Sequence, residues 1–103
     1  MTRYNQLVRD KTPKIIKDNG MIATTHVAND NEMFVMLQKK LKEEVGEFMI
    51  DESVEELADI LEVIYAICEN KGFSIEEIEK IRKEKRKEKG GFDKKIILDK
   101  VEE

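Results

Sequence analysis

Residues 43–59, EEVGEFMIDESVEELAD, decide how this chain folds. The stretch holds two acidic pairs at helical spacing, Glu44 with Glu47 and Glu56 with Asp59, and between them Asp51–Glu52 and Ser53. Residues three apart share a helix face, so each pair presents two carboxylates side by side. Apolar residues recur with the helical period on both sides of the break: Phe34, Leu37, Leu41, Val45 and Phe48 before it, Leu57, Ile60, Leu61, Ile64, Ile67 and Cys68 after it. Asp51–Glu52 reads as a turn, and Ser53 with Glu56 as a capping box that opens the second helix. The stretch therefore predicts a tight antiparallel helical hairpin, a geometry that can bring the two acidic pairs together.

The register of the acids sharpens this. At about 100° per residue, Glu44 lies only about 20° from Leu37, inside the apolar stripe, with Glu47 at its edge. On the second helix Glu56 borders the stripe and Asp59 lies further round. A carboxylate directed into an apolar seam is costly unless it is paired or bound to metal. Four carboxylates drawn together repel unless a cation sits between them, and hard oxygen ligands suit Mg²⁺, with Mn²⁺ as the alternative. A single acidic pair on a Glu-rich helix is ordinarily a solvated face; the apolar register favours the metal reading here.

Outward from the hairpin, the first helix is expected to begin at Asn29 or Asp30 and to run to about Ile50, with Gly46 inside it. Glycine costs about 1 kcal/mol there against alanine, which close helix approach or ligand access would explain. The second helix runs to Lys71 and stops at Gly72. Ser74 with Glu77 opens a third long helix, ended by Gly90-Gly91. Its apolar positions Ile75, Ile78 and Ile81 continue on the same face as Arg82, Lys85 and Lys89, cations expected to point toward the body of the protein and to meet phosphate. Lys83, Arg86 and Lys87 read as solvated. Ahead of the hairpin, Thr12 is expected to cap a short helix that begins at Pro13 and ends at Asn19–Gly20. Arg9 and Lys11, just before it, are either surface charges on an arm or cations delivered to a polyanion. Two segments read as short strands, MIATTHVA at 21–28 and KKIILDKV at 94–101, which could pair. His26, the sole histidine, reads as structural. The expected fold is all-α: a helical hairpin plus a third long helix in a bundle completed by a second copy, with short terminal strands.

Composition agrees with a small helical protein. The chain has 103 residues, room for one domain, with 41% charged and 40% hydrophobic residues. A core of this size is modest, so a homodimer or larger assembly is expected. No apolar run approaches membrane-spanning length and nothing at the start resembles a signal peptide, so no membrane partner and a cytoplasmic location are expected. A single cysteine excludes an internal disulfide. The net charge of −4 is uneven: residues 29–70 hold twelve Asp/Glu against three Lys/Arg, while both flanks are net positive. An acidic middle between basic ends suits a metal site with cations for a phosphorylated ligand, and argues against a nucleic-acid polymer as partner.

At Glu43-Glu44-Val45-Gly46-Glu47 and Glu56-Leu57-Ala58-Asp59 the sequence resembles the all-α nucleoside triphosphate pyrophosphohydrolases, which include MazG-type enzymes and phosphoribosyl-ATP pyrophosphohydrolase. The opening YNQLVRDKTPKII and the tail EKGGFDKKIIL resemble a subgroup described as phosphoribosyl-ATP pyrophosphohydrolase-like. The resemblance implies a Mg²⁺-dependent enzyme that cleaves a nucleotide between the α- and β-phosphates, with Glu44, Glu47, Glu56 and Asp59 as metal ligands. Only eight residues separate Glu47 from Glu56, fewer than is usual in MazG-type chains, which bears on the base pocket. Glu43, beside the cluster, is the candidate acceptor of a proton from attacking water, and Arg82, Lys85, Lys89, Arg9 and Lys11 are the candidate phosphate contacts. Two further readings stay open: a nucleotide- or metal-binding module without turnover, and a helical dimerisation module with surface acids.

Overall fold

A computed structural model of the chain describes residues 4–103. They form four helices, α1 (Thr12–Asp18), α2 (Asp30–Ile50), α3 (Val54–Lys71) and α4 (Ile75–Lys89). No helix among the described residues is long and apolar enough to cross a membrane. The chain divides into two compact units, one ending at Phe73 and the other comprising Ser74–Glu103.

In the first unit α2 and α3 pack against each other. Short side chains set their ends. The Asn29 side chain accepts a hydrogen bond from the Glu32 amide at 2.9 Å, and Ser53 Oγ accepts from the Glu56 amide at 3.2 Å. Each satisfies one of the orphan donors at a helix start. Three residues, Asp51–Ser53, reverse the chain between the helices. The far ends then meet: Asn70 at the end of α3 donates to the Asp30 carbonyl at the start of α2, 3.3 Å away, and the Lys71 ammonium stands 4.0 Å over the Phe34 ring. The hairpin is therefore antiparallel. Gly72 stops α3 in the left-handed region (φ 73°), with the Phe73 amide bonded back to the Cys68 carbonyl, as the sequence predicts.

Little is buried. Among the described residues Leu37, Val63 and Cys68 are the buried apolar ones, and the buried charged residue is Glu44. The apolar register of Leu37 and Cys68 is thus the packed seam of the hairpin, whereas Val45, Leu57 and Leu61 of the expected stripes stay substantially exposed.

α1 begins one residue earlier than expected. Thr12 is its first residue, Pro13 its second, and Lys11 stands at the cap without a side-chain bond. The Thr12 amide instead donates to the Arg9 carbonyl, a turn that carries the chain into the helix at 3.0 Å. A Cβ added at Gly46 would meet nothing within 4 Å among the described residues, so the packing of α2 on α3 does not account for that glycine.

The terminal strands are corrected outright: there is no strand among the described residues, and both 21–28 and 94–101 are extended chain without a ladder. β-branched composition favours a pleated, half-buried surface but cannot supply a partner, and without a neighbouring strand and a face to cover it an isolated segment gains nothing from pairing. Ile22 and Val27, almost fully exposed, show that no such face is present. His26 instead bonds Glu32 in the first turn of α2 at 3.0 Å.

The second unit consists of α4 and the segment after it. Ser74 Oγ accepts from the Glu77 amide at 3.2 Å, and Gly90 (φ 85°) follows the last residue. No residue of α4 is buried.

Candidate functional site

The acidic pairs meet across the hairpin. Oxygens of Glu44 on α2 and of Glu56 and Asp59 on α3 all lie within 4.8 Å of one another, and Glu43, Glu44 and Glu47 form a second set with the same spacing. Glu44 belongs to both sets, and Glu47 stands close enough to Glu44 on α2 and to Glu56 on α3 to act on both. The four expected metal ligands and Glu43 are therefore one continuous group of carboxylates.

The local chain geometry explains why Glu56 is available. In a full capping box its side chain would return to the Ser53 amide. That amide is already bonded to the Asp51 carbonyl at 2.7 Å, so only half the box forms. Glu56 points elsewhere, and its Oε2 is shut off from solvent with no donor among the described residues, the Glu47 carboxylate being its neighbour. Glu44 Oε2 is in the same condition, on a residue 7% exposed. Buried polar atoms in folded proteins are nearly always satisfied, and two orphaned carboxylate oxygens in one cluster are an arrangement a bound cation would complete.

The electrostatics follow. Burial, then the neighbouring Glu47 carboxylate, raises Glu44 above the ordinary carboxylate range. Desolvation, then Glu47, raises Glu56 in the same direction. Three counter-groups approach the cluster. Lys40 Nζ lies 3.5 Å from Glu43 and 3.7 Å from Glu44, one turn back along α2. Arg9 of the N-terminal arm pairs with Asp59 at 2.8 Å, and Gln6 Nε2 donates to Glu43 Oε1 at 3.0 Å. The arm thus touches an acid on each helix of the hairpin.

Of the cations expected at phosphate, Arg9 stands at the cluster, while Lys11 is exposed at the start of α1. In the second unit Arg82 is turned to Glu79 of its own helix, and Lys85 and Lys89 are exposed. Lys40 and Gln6 also reach the cluster, outside the expected site residues. The i, i+3 and i, i+4 spacing of Lys40 to Glu43 and Glu44 is a signal that could have found it. Gln6 lies 37 residues from Glu43 and has no local signal.

No family model, curated protein or solved structure matches this chain.

Proposed function

We propose that this protein is a Mg²⁺-dependent nucleotide pyrophosphohydrolase that cleaves a nucleoside triphosphate or related nucleotide between the α- and β-phosphates, giving a monophosphate and pyrophosphate. The observation that supports it is the pair of buried, partnerless oxygens, Glu44 Oε2 and Glu56 Oε2, within a group of carboxylates drawn from both helices. Glu44, Glu47, Glu56 and Asp59 would hold the cation, Mg²⁺ or Mn²⁺. A divalent ion there supplies charge neutralisation for phosphate oxygens and lowers the pKa of a water.

The remaining work falls to the chain's own groups. Glu43 takes donations from both Gln6 and Lys40 on Oε1, which orient the carboxylate and leave Oε2 to accept a proton from water. Arg9 stands at the cluster to meet phosphate charge, as phosphoryl chemistry asks chiefly for positioning and neutralisation; Lys11, Arg82, Lys85 and Lys89 are candidates from their sequence register. A homodimer or larger assembly goes with this reading, since the three buried apolar residues among those described make a slight core.

The competing reading, a nucleotide- or metal-binding dimerisation module without turnover, draws on Arg9 already neutralising one candidate ligand, Asp59. Pyrophosphate release from a panel of nucleoside triphosphates, with Mg²⁺ and with EDTA, decides between them. Release that EDTA abolishes is expected. Mg²⁺-dependent binding of nucleotide or of the metal alone, without release, selects the module, and no binding of either overturns both.

A further inference from the structure

The cleft beside the acidic cluster carries chemistry that the cluster itself does not use. Residues 4–7 of the arm and the middle of α2 enclose a space of about 330 Å³. That is near the lower end of the range for small-molecule sites, about 300–1,000 Å³. Its lining is mixed: the Tyr4 ring and Met36 thioether are apolar and polarisable, the Gln6 amide can donate and accept, and Lys39 and Lys40 bring positive charge. The arm bends at Asn5 (φ 48°), a left-handed conformation that asparagine adopts more readily than most residues.

Two side chains make the cleft continuous with the cluster. Glu43 lines the cleft and is also one of the clustered carboxylates. Lys40, also lining it, reaches both Glu43 and Glu44. A ligand that fills both places needs an anionic end able to share a cation with carboxylates, and next to it a flat, partly apolar body with hydrogen-bonding edges. Inorganic pyrophosphate satisfies the first requirement only.

We propose that this arm-and-α2 cleft is the nucleoside subsite, in which Tyr4 stacks on the base of a nucleotide whose phosphates lie toward Glu43 and Glu44. The proposal rests on the hydrolase reading for the phosphate end, but the cleft can be tested apart from it. Tyr4 and Tyr65 are the two tyrosines of a chain without tryptophan, so in Tyr65→Phe protein the tyrosine emission reports Tyr4. The test titrates that protein in Mg²⁺ with the monophosphates of adenosine, guanosine, cytidine and thymidine, and separately with inorganic pyrophosphate. Binding of each is also followed by its shift of the melting temperature. At least one nucleoside monophosphate is expected to quench Tyr4 saturably, while pyrophosphate binds without quenching. Tyr4→Ala, at a side chain 75% exposed and so outside the packing, is expected to weaken the binding of that monophosphate about tenfold, the loss of one base–aromatic stack, and to leave the Mg²⁺-induced melting shift intact.

Absence of quenching by all four, or unchanged affinity in Tyr4→Ala, overturns the subsite. Quenching by a nucleoside monophosphate without any Mg²⁺ shift or pyrophosphate binding would sustain the cleft and remove the hydrolase reading. Mg²⁺-dependent pyrophosphate release with no effect of Tyr4→Ala would do the reverse.

Discussion

α2–α3 and α4 both place charge where an apolar stripe should continue, and the two regions resolve it in opposite ways. In the hairpin, Glu44 follows the register of Leu37 into the seam and stays there, buried, with one oxygen unsatisfied. In α4, Arg82 follows the register of Ile75 and Ile78, yet turns along the helix surface to Glu79, and Arg86 reaches Asp93 at 3.1 Å. The chemistry of the acids diverges accordingly. Desolvation leads the rise of Glu44 and Glu56, whereas the Arg82 hydrogen bond holds Glu79 below the ordinary carboxylate range. An amphipathic pattern says which face a charge shares. Whether that charge is buried depends on a neighbour covering the face, and on whether the side chain is long enough to bend away from it.

The comparison breaks most visibly at Asp59. Asp59→Asn keeps the side chain's size and removes one charge from the shared cluster. Its exposed pair with Arg9 contributes at most about 1 kcal/mol, so the helices should remain folded. Pyrophosphate release is expected to fall by about 100-fold or more, beyond what loss of an outer-shell partner produces. Full activity in this variant would remove the metal assignment at its centre.

Metal itself is the next lever. Mg²⁺ at about 100 times its dissociation constant stabilises a folded state by about 2.7 kcal/mol, or roughly 10 °C or more in melting temperature for a domain of this size. Thermal melts in EDTA and then in excess Mg²⁺ measure it, and Glu44→Gln is expected to lose most of the shift. Identical midpoints in the wild type would remove the cation that sets the hairpin's buried acid apart from the solvated ones in α4.

Lys85→Ala sharpens the contrast from the other side. A lysine acts on phosphate as a point charge and not as a metal ligand, so KM for the triphosphate should rise about tenfold while the Mg²⁺ shift is retained. Wild-type behaviour in both measurements would show that α4 is simply a solvated helix.

The smallest expected effect is on pH. The folded-state pKa values of Glu44 and Glu56 are raised above the ordinary 4.5, so the native state binds these protons more tightly than the unfolded chain. Their stabilising contribution is complete below about pH 4.5 and is lost as pH rises through the raised values. In EDTA, the wild-type melting temperature should therefore gain more between pH 7 and pH 5 than that of Glu44→Gln with Glu56→Gln. The lowered Glu76 and Glu79 act in the opposite sense and below that window. Equal pH responses in wild type and double variant would mean the cluster is better solvated than its geometry implies.

Local rules made much of this chain legible in advance. Asn29, Ser53 and Ser74 each cap the helix the sequence places after them, because a short side-chain oxygen satisfies an orphan amide wherever the chain turns into a helix. Gly72 ends α3 since it takes a positive φ at little cost. The hairpin follows from two apolar periods joined by a three-residue break, and the meeting of Glu44 with Glu56 and Asp59 follows from the hairpin. Tertiary structure alone decided the rest. It withheld a partner from 21–28 and 94–101, so that β-branched composition produced no strand. The release of Glu56 from its capping box was local instead, set by the Ser53 amide's bond to the Asp51 carbonyl. The arm's Gln6 and Arg9 were brought to Glu43 and Asp59 across 37 and 50 residues. Helix caps and periods are local, so sequence specifies them. Long-range pairings depend on which surfaces the fold brings together, and no spacing along the chain encodes that.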